Sequence, residues 1–398
     1  MCEWRTETLG MIAKTTSGGT PDKKHTEYYS GNIPWVRSGE LDKGIIRDTE
    51  IKITQEGLEN SSAKVFPTGT LLIALYGATI GKLAFLGIPA ATNQAVCAIF
   101  ENDTVSLKYL YYYLLFKRPD LVKQGIGGAQ ANISQTILKK LSIPYPVSKS
   151  EQQRIVARIE ELFSQLDAGV ETLKKTKAQL AVYRQAAITE AFSVDNNTPN
   201  VCLSDIAQII GGITKGRNLS DTETIELPYL RVANVQNGYL DLSEIKTIKL
   251  RVDEKERYLL KPGDVLYTEG GDRDKLGRGT VWRGEIKDCV HQNHVFKARV
   301  DQSKAIPEYV AFWSMSTPAR NYFYQKGKQS VNLASINKTV LSALTLPLPA
   351  LEKQREIINH IESRLSVCDS IEQTVDTALQ QAEAMRQSIL KDAFEGRL

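Results

Sequence analysis

Two stretches of the chain are apolar at helical spacing and hold almost nothing that would break a helix. In the first, Ile155, Ile159, Leu162, Leu166, Leu173 and Leu180 recur at intervals of three, four and seven, and Gly169 is the only glycine or proline between Ser148 and Phe192. In the second, Ile357, Ile361, Cys368, Ile371, Val375, Ala378, Ala382, Met385 and Ile389 follow a near-strict heptad, and residues 352–395 contain neither proline nor glycine. An apolar stripe this narrow on a long helix calls for another helix as its partner. Each helix is about 42 residues, roughly 60 Å at ~1.5 Å per residue. Ser148-x-x-Glu151 reads as a capping box at the first start. Residues 193–200 then link the first helix to the second globular segment, a reach of at most about 27 Å. A parallel pair would need the chain to travel back the full helix length. The connectivity therefore predicts an antiparallel coiled coil, with a globular segment at each end of the rod and a pseudo-twofold relation between the halves.

The flanking segments, 1–148 and 201–349, alternate short apolar runs with glycine and proline. Leu71–Tyr76, Leu83–Leu86, Val96–Phe100, Val265–Tyr267, Thr280–Trp282 and Phe296–Val300 read as strands. Leu107–Phe116 and Pro307–Ser316 read as helices. The fold class expected is α+β: two mixed α/β domains separated by two long helices.

The halves repeat one another. Leu141-Ser-Ile-Pro-Tyr-Pro146 returns as Leu344-Thr-Leu-Pro-Leu-Pro349, Glu151-Gln-Gln-Arg154 as Glu352-Lys-Gln-Arg355, and Ala191-Phe192 as Ala393-Phe394. Upstream, Ile33-Pro-Trp-Val-Arg37 faces Leu227-Pro-Tyr-Leu-Arg231, and Asn132 faces Asn332. A period near 200 residues makes the chain a duplication, globular–helical–globular–helical.

Composition adds little to this picture, but charge and missing motifs narrow it. The net charge is +4 at pH 7. It divides into +4 for residues 1–150, −1 for 151–200, +4 for 201–349 and −3 for 350–398. The globular segments are mildly basic, which suits a polyanionic partner. The five cysteines stand singly, which favours a reducing cytoplasm and no disulfide scaffold. No apolar run is long enough to span a membrane, and MCEWRTETLG has no signal-peptide core. No Pro-Pro dipeptide exists to build the loop that grips a flipped adenine. Tyr76-Gly-Ala-Thr-Ile-Gly-Lys-Leu83 falls one residue short of a phosphate-binding loop and ends on Leu; it reads as a strand turn. Asp264 with Glu285-Ile-Lys287 mimics nuclease spacing, but Thr70 stands opposite Asp264 in the first half. Cys289-x-His291-x-x-His294 offers three metal ligands and lacks a fourth.

The layout resembles the specificity subunit (HsdS) of type I restriction–modification systems. The resemblance covers the whole chain and rests on Ser17-Gly-Gly-Thr-Pro21, Gly31-Asn-Ile-Pro-Trp35, Gly39-Glu-Leu41, the segment Gly127–Ser134, both helical starts and Ala393-Phe394-Glu395-Gly396-Arg397-Leu398. Gly211-Gly-Ile-Thr214 departs from its counterpart, which the family ties to a different target sequence. The resemblance implies two target recognition domains (1–148 and 201–349), conserved helical regions (149–192 and 350–398) and a linker (193–200). It implies a non-catalytic chain that reads an asymmetric, bipartite site in double-stranded DNA. It further implies two modification subunits, which bind S-adenosylmethionine, and in the restriction form two motor-nuclease subunits, which use ATP with Mg²⁺. The chain itself is expected to bind no cofactor or metal. Rival readings are a coiled-coil scaffold without DNA reading, or a nuclease or methyltransferase in its own right.

Reading base edges calls for Arg, Lys, Asn and Gln on loops, with hydroxyls and lysines on phosphates. In the first half the candidates are Lys14, Thr20, Lys23, Lys24, Arg37, Ser38, Thr79, Lys82, Asn93, Gln94, Gln130 and Asn132. In the second they are Thr214, Lys215, Arg217, Arg231, Asn234, Arg273, Lys275, Arg278, Gln292, Asn293, His294, Lys326, Lys328 and Gln329.

Overall fold

The computed structural model describes residues 3–125, 132–193, 198–219, 222–329 and 334–398, with the side chains of Asp274 and Gln329 left aside. The chain divides into two compact units, Met1–Thr172 with Thr377–Leu398, and Leu173–Asp376.

In the first unit the most apolar runs, Leu71–Ala74 and Val96–Ile99, are buried on both faces. They lie at the middle of a five-stranded sheet ordered Thr15–Ser17, Val96–Ile99, Leu71–Ala74, Leu83–Leu86, Gly44–Ile46. Its neighbours are antiparallel except the last pair. Alternation splits the side chains between two cores. Leu71, Ile73, Cys97 and Ile99 meet a helix, Leu107–Gln124, while Leu72, Ala74, Val96 and Ala98 meet Val36, Leu41 and Phe66. The helix starts where Ser106 Oγ accepts the Tyr109 amide, and it runs through Pro119, eight residues beyond the end expected from sequence. A second sheet, ordered Ile51–Ile53, Ile33–Val36, Ala90–Thr92, Val65–Phe66, carries the Ile-Pro-Trp-Val strand.

The second unit repeats this plan. Its main sheet runs Ala207–Gly211, Val295–Val300, Asp264–Thr268, Gly279–Val281, all antiparallel. Helix Pro307–Met315 covers the same face. The smaller sheet runs Lys246–Arg251, Thr224–Leu230, Val290–His291. In each unit a short strand near the start pairs with the Pro-rich strand before the long helix: Trp4–Thr8 with Ser142–Pro146, and Asn200–Cys202 with Thr345–Pro347.

The long helices span Lys149–Ala191 and Leu351–Phe394. Each begins on a fully buried glutamine. Gln152 accepts the Ser106 amide at 2.9 Å and donates to Thr104 and Pro146 carbonyls at 3.0 Å each. Gln354 does the same with Ile306 (2.9 Å), Lys304 (3.1 Å) and Pro349 (2.9 Å). The buried glutamine one turn into each helix is therefore a clamp that fixes the helix start to the loop before the domain helix, and it pairs Gln152 with Gln354, one residue off the match of Glu151-Gln-Gln-Arg154 to Glu352-Lys-Gln-Arg355. Ser148 Oγ accepts the Glu151 amide at 3.4 Å, but the Glu151 carboxylate binds Arg154.

Each unit sets the start of one long helix beside the end of the other, so the pairing is antiparallel. In the first unit Arg386 pairs with Asp167 and lies over the Phe163 ring, and Phe394 packs edge-on against Tyr109 and Tyr113. In the second, Arg184 reaches Asp369 at 2.7 Å and Glu372 at 2.9 Å, Lys177 reaches Asp376 at 2.7 Å, and Phe192 packs against Tyr309 and Trp313. Ile155, Ile159, Leu180, Ile357, Ile361, Cys368, Val375 and Ala382 are buried, and Leu162, Leu166, Leu173, Ala378 and Ile389 are half-buried. Two seam assignments are corrected: Ile371 is 40% exposed and Met385 53%. The second line of the seam is Leu365, Glu372, Leu379 and Arg386, one residue away. Two of its four positions are charged and satisfied by ion pairs across the helices, which is why an apolar pattern misses it.

Candidate nucleic-acid interface

In both units the loops that leave the C-terminal ends of two strands, one in each sheet, gather at one rim with the turn of the central hairpin. In the first unit, Gly19 N–H donates to Thr92 O, Asn93 N–H to Val36 O and Leu75 N–H to Ala95 O, at 2.8–3.0 Å. In the second, Ile213 N–H donates to His291 O, Gln292 N–H to Leu230 O and Glu269 N–H to His294 O, at 2.8–2.9 Å. The glycine at each loop start is required by this approach: a Cβ on Gly18 would lie 2.1 Å from Thr92 O, and one on Gly212 2.2 Å from His291 O.

The rim of the first unit collects Thr20, Arg37, Ser38, Thr79, Lys82, Asn93, Gln94 and Asn132. Thr20 donates to Gln94, Thr79 Oγ1 donates to Tyr76 O at 2.7 Å, and Asn132 bridges Tyr76 through its backbone. Arg37 pairs with Glu50, and its Nε is buried without a partner, as is Asn93 Oδ1. Lys82 reaches Asp42 at 3.1 Å and holds that carboxyl below its usual range. Lys23 and Lys24 are exposed beside this rim, on the loop after Gly19. Lys14 is not brought to it. It precedes Thr15, at the opposite end of the strand, where its carbonyl accepts from Phe100 N–H. Gln130 lies outside the described residues.

The rim of the second unit collects Thr214, Lys215, Arg231, Arg273, Lys275, Arg278, Gln292, Asn293 and His294. Arg278 donates to Gln236 at 3.0 Å, Lys275 pairs with Asp272, and Arg273 stacks 4.3 Å over Tyr324. His294 pairs with Glu269 at 2.6 Å. Lys328 and Gln329 form a strand against Ala334–Ser335, which pairs in turn with Gly270–Gly271. Lys326 ends the preceding helix and is exposed, as are Lys215 and Lys328. Two candidates are engaged within the domain. Asn234 is buried, and its amide is used by Arg231 N–H, Asp241 O and Glu244 O, so it shapes the loop. Arg217 forms a bidentate pair with Glu254 at 2.8 and 2.9 Å, half-buried, and holds that carboxyl below its usual range. It fastens the loop to the turn at Val252–Glu254.

The look-alike motifs have structural partners. Asp264 is buried and bonded to Arg299 at 2.7 and 2.8 Å, with its Oδ2 also accepting the Lys261 amide. Tyr76–Lys82 is a hairpin turn with Gly77 and Gly81 at positive φ. Cys289 and His291 are buried in separate surroundings: His291 Nδ1 meets Val295 O at 2.6 Å, and burial pushes the ring down to about 4. Among the described residues no group of three or more His, Cys, Asp or Glu side chains is arranged to hold a metal ion. No described helix is long and apolar enough to cross a membrane. Sequence reasoning missed the acids that hold the rim cations, Asp42, Glu50 and Glu244. Nothing in the sequence singles them out, because Glu50 and Glu244 each stand 13 residues from the arginine they hold and Asp42 stands 40 from Lys82.

The family model for the type I restriction modification DNA specificity domain matches residues 1–181 and again 196–381. This chain belongs to that family. The two matches fall on the two repeats, each taking in one rim. A curated relative, the StySPI type I restriction enzyme specificity subunit of Salmonella potsdam, is 24% identical over 99% of this chain and 89% of its own length. Among solved structures, a chain from work on complex assembly and conformational transition of the type I R-M system matches with a TM-score of 0.75 at 18% identity, over 99% of this chain and 98% of that one. The HsdS subunit from Thermoanaerobacter tengcongensis matches at 0.54 and 18% identity, over 99% and 97%. These structures share the fold of this specificity-domain chain.

Proposed function

We propose that this chain is the DNA sequence-recognition subunit of a type I restriction–modification complex and carries no catalytic centre of its own. The observation that supports it most is the rim built twice, each time within a stretch matched by the specificity-domain model. Each globular domain (1–148 and 201–349) reads one half of a split site in double-stranded DNA. The helical regions (149–192 and 350–398) join the readers and position two modification subunits, with two motor-nuclease subunits in the restriction form. S-adenosylmethionine, and ATP with Mg²⁺, belong to those partners, and the assembly works in the cytoplasm. Because the rims differ in sequence, the two half-sites differ and the site is asymmetric.

The test is reconstitution. The purified chain should transfer no methyl group from S-adenosylmethionine to DNA, and adding the modification subunits should yield methylation at a single bipartite motif. Methyl transfer by the chain alone, or motif-independent methylation by the complex, would overturn the reading.

A further inference from the structure

The internal repeat separates two kinds of rim residue, because the duplex presents the same phosphates to both units and different bases to each. Two basic positions coincide. Arg37 and Arg231 each follow the strand carrying the Ile-Pro or Leu-Pro pair, and each has its backbone N–H taken by the side chain three residues on, Glu40 at 2.9 Å and Asn234 at 2.9 Å. Each guanidinium is held through Nη2 by an acid, Glu50 or Glu244, and each Nε is buried without a partner. Lys82 and Arg278 also coincide, since their carbonyls accept the amides of Ala74 and Thr268, the matching positions of the central strands, at 2.9 and 3.0 Å. Each is tied to the loop after the arginine strand, Lys82 to Asp42 and Arg278 to Gln236.

Around these fixed cations the rim diverges. Asn93, Gln94 and Ala95 are matched by Gln292, Asn293 and His294. The hairpin turn runs from Leu75 to Gly81 in one unit and from Glu269 to Gly277 in the other, two residues longer. We infer that Arg37 with Lys82, and Arg231 with Arg278, are sequence-independent phosphate anchors, and that the divergent positions 93–95 and 292–294, with the hairpin turns, read the bases. The inference rests on the proposed DNA-reading function. Phosphate contacts fix register and carry no sequence information, so they are the contacts two readers of different sequences share. Each anchor keeps an exposed edge: the side chains of Arg231, Lys82 and Arg37 are 20%, 25% and 43% exposed, and Arg278 is half-buried.

The experiment uses the chain assembled with its modification subunits, binding its methylation-defined duplex and a scrambled duplex across a salt series. Arg37→Gln, Lys82→Gln, Arg231→Gln and Arg278→Gln should each weaken both duplexes by the same factor, about fivefold at ~0.15 M salt, and make the log–log salt slope about 0.9 less negative. The methylated motif should not change, and Arg37→Lys should keep the wild-type slope. Asn293→Ala should instead relax one half-site with the slope unchanged. An anchor variant that alters the motif, or leaves the slope as in wild type, overturns the assignment. So does an Asn293→Ala complex whose motif is intact. If Arg37→Gln unfolds, Lys82→Gln and Arg278→Gln at the turn ends decide the matter alone. A wild-type complex without sequence-selective methylation would sink the proposed function itself, a separate outcome.

Discussion

Replacing Gln152 with Ala should destabilise the first unit without touching what it reads. The side chain is fully buried and serves three backbone groups, the Ser106 amide and the Thr104 and Pro146 carbonyls. A buried polar group left without its partner costs about 1–3 kcal/mol. The Ser106 and Thr104 bonds are only part-buried, so water can replace some of the loss, and we take about 3 kcal/mol for the three together. A domain of roughly 150–250 residues shifts by about 2–4 °C per kcal/mol, so the expected fall in Tm is about 6–12 °C. Gln354→Ala removes the matching clamp and should cost the second unit a similar amount. Near-UV circular dichroism melts of the full chain measure this, and mapping methylated adenines in cells expressing the variant checks the reading. A melting point within 1 °C of wild type, or an altered motif at full stability, would refute the clamp.

Burial and charge set two more expected outcomes. Val375→Asp buries a carboxylate in the seam, a loss of about 3–5 kcal/mol when no partner is near, whereas Ile371→Asp at a 40% exposed position should leave thermal stability within about 0.5 kcal/mol of wild type; equal losses in thermal melts would contradict this seam. His291 is buried and neutral with its ring pushed down to about 4 from 6.5. An unfolded chain binds a proton that the folded one excludes, so the stability of the second unit should fall as pH drops from about 6.5 toward 4. His291→Gln should flatten that part of the curve; an unchanged slope in urea titrations across that range would exclude His291 as its source.

The long helices were plain in the sequence because nothing within them competes with a heptad pattern. Their shared seam was less so, because Glu372 and Arg386 occupy it and are made tolerable by Arg184, Lys177 and Asp167 on the other helix. That pairing is non-local and leaves no mark on the apolar spacing. Strands such as Leu71–Ala74 and Val96–Ile99 showed themselves by continuous hydrophobicity. Ile33–Val36 and Thr224–Leu230 did not, since each carries a proline inside the strand. At the rims, residue type picks out loops that the fold gathers together but does not show which side chains the fold itself employs. Asn234 and Arg217 have the chemistry of DNA contacts, yet the fold uses one to brace a turn and the other to hold Glu254. Lys14 sits three residues before Ser17, and a strand of that length carries it to the far end of the sheet.

Whether two independent readers share one chain is decided by exchanging one of them. Residues 1–148 would be replaced with the matching segment of a relative that recognises a different site, and the methylated adenines of cells expressing the hybrid with its modification subunits would be sequenced. Two independent readers predict a motif in which one half-site is the donor's and the other is unchanged. A hybrid that altered both half-sites, or neither, would contradict them.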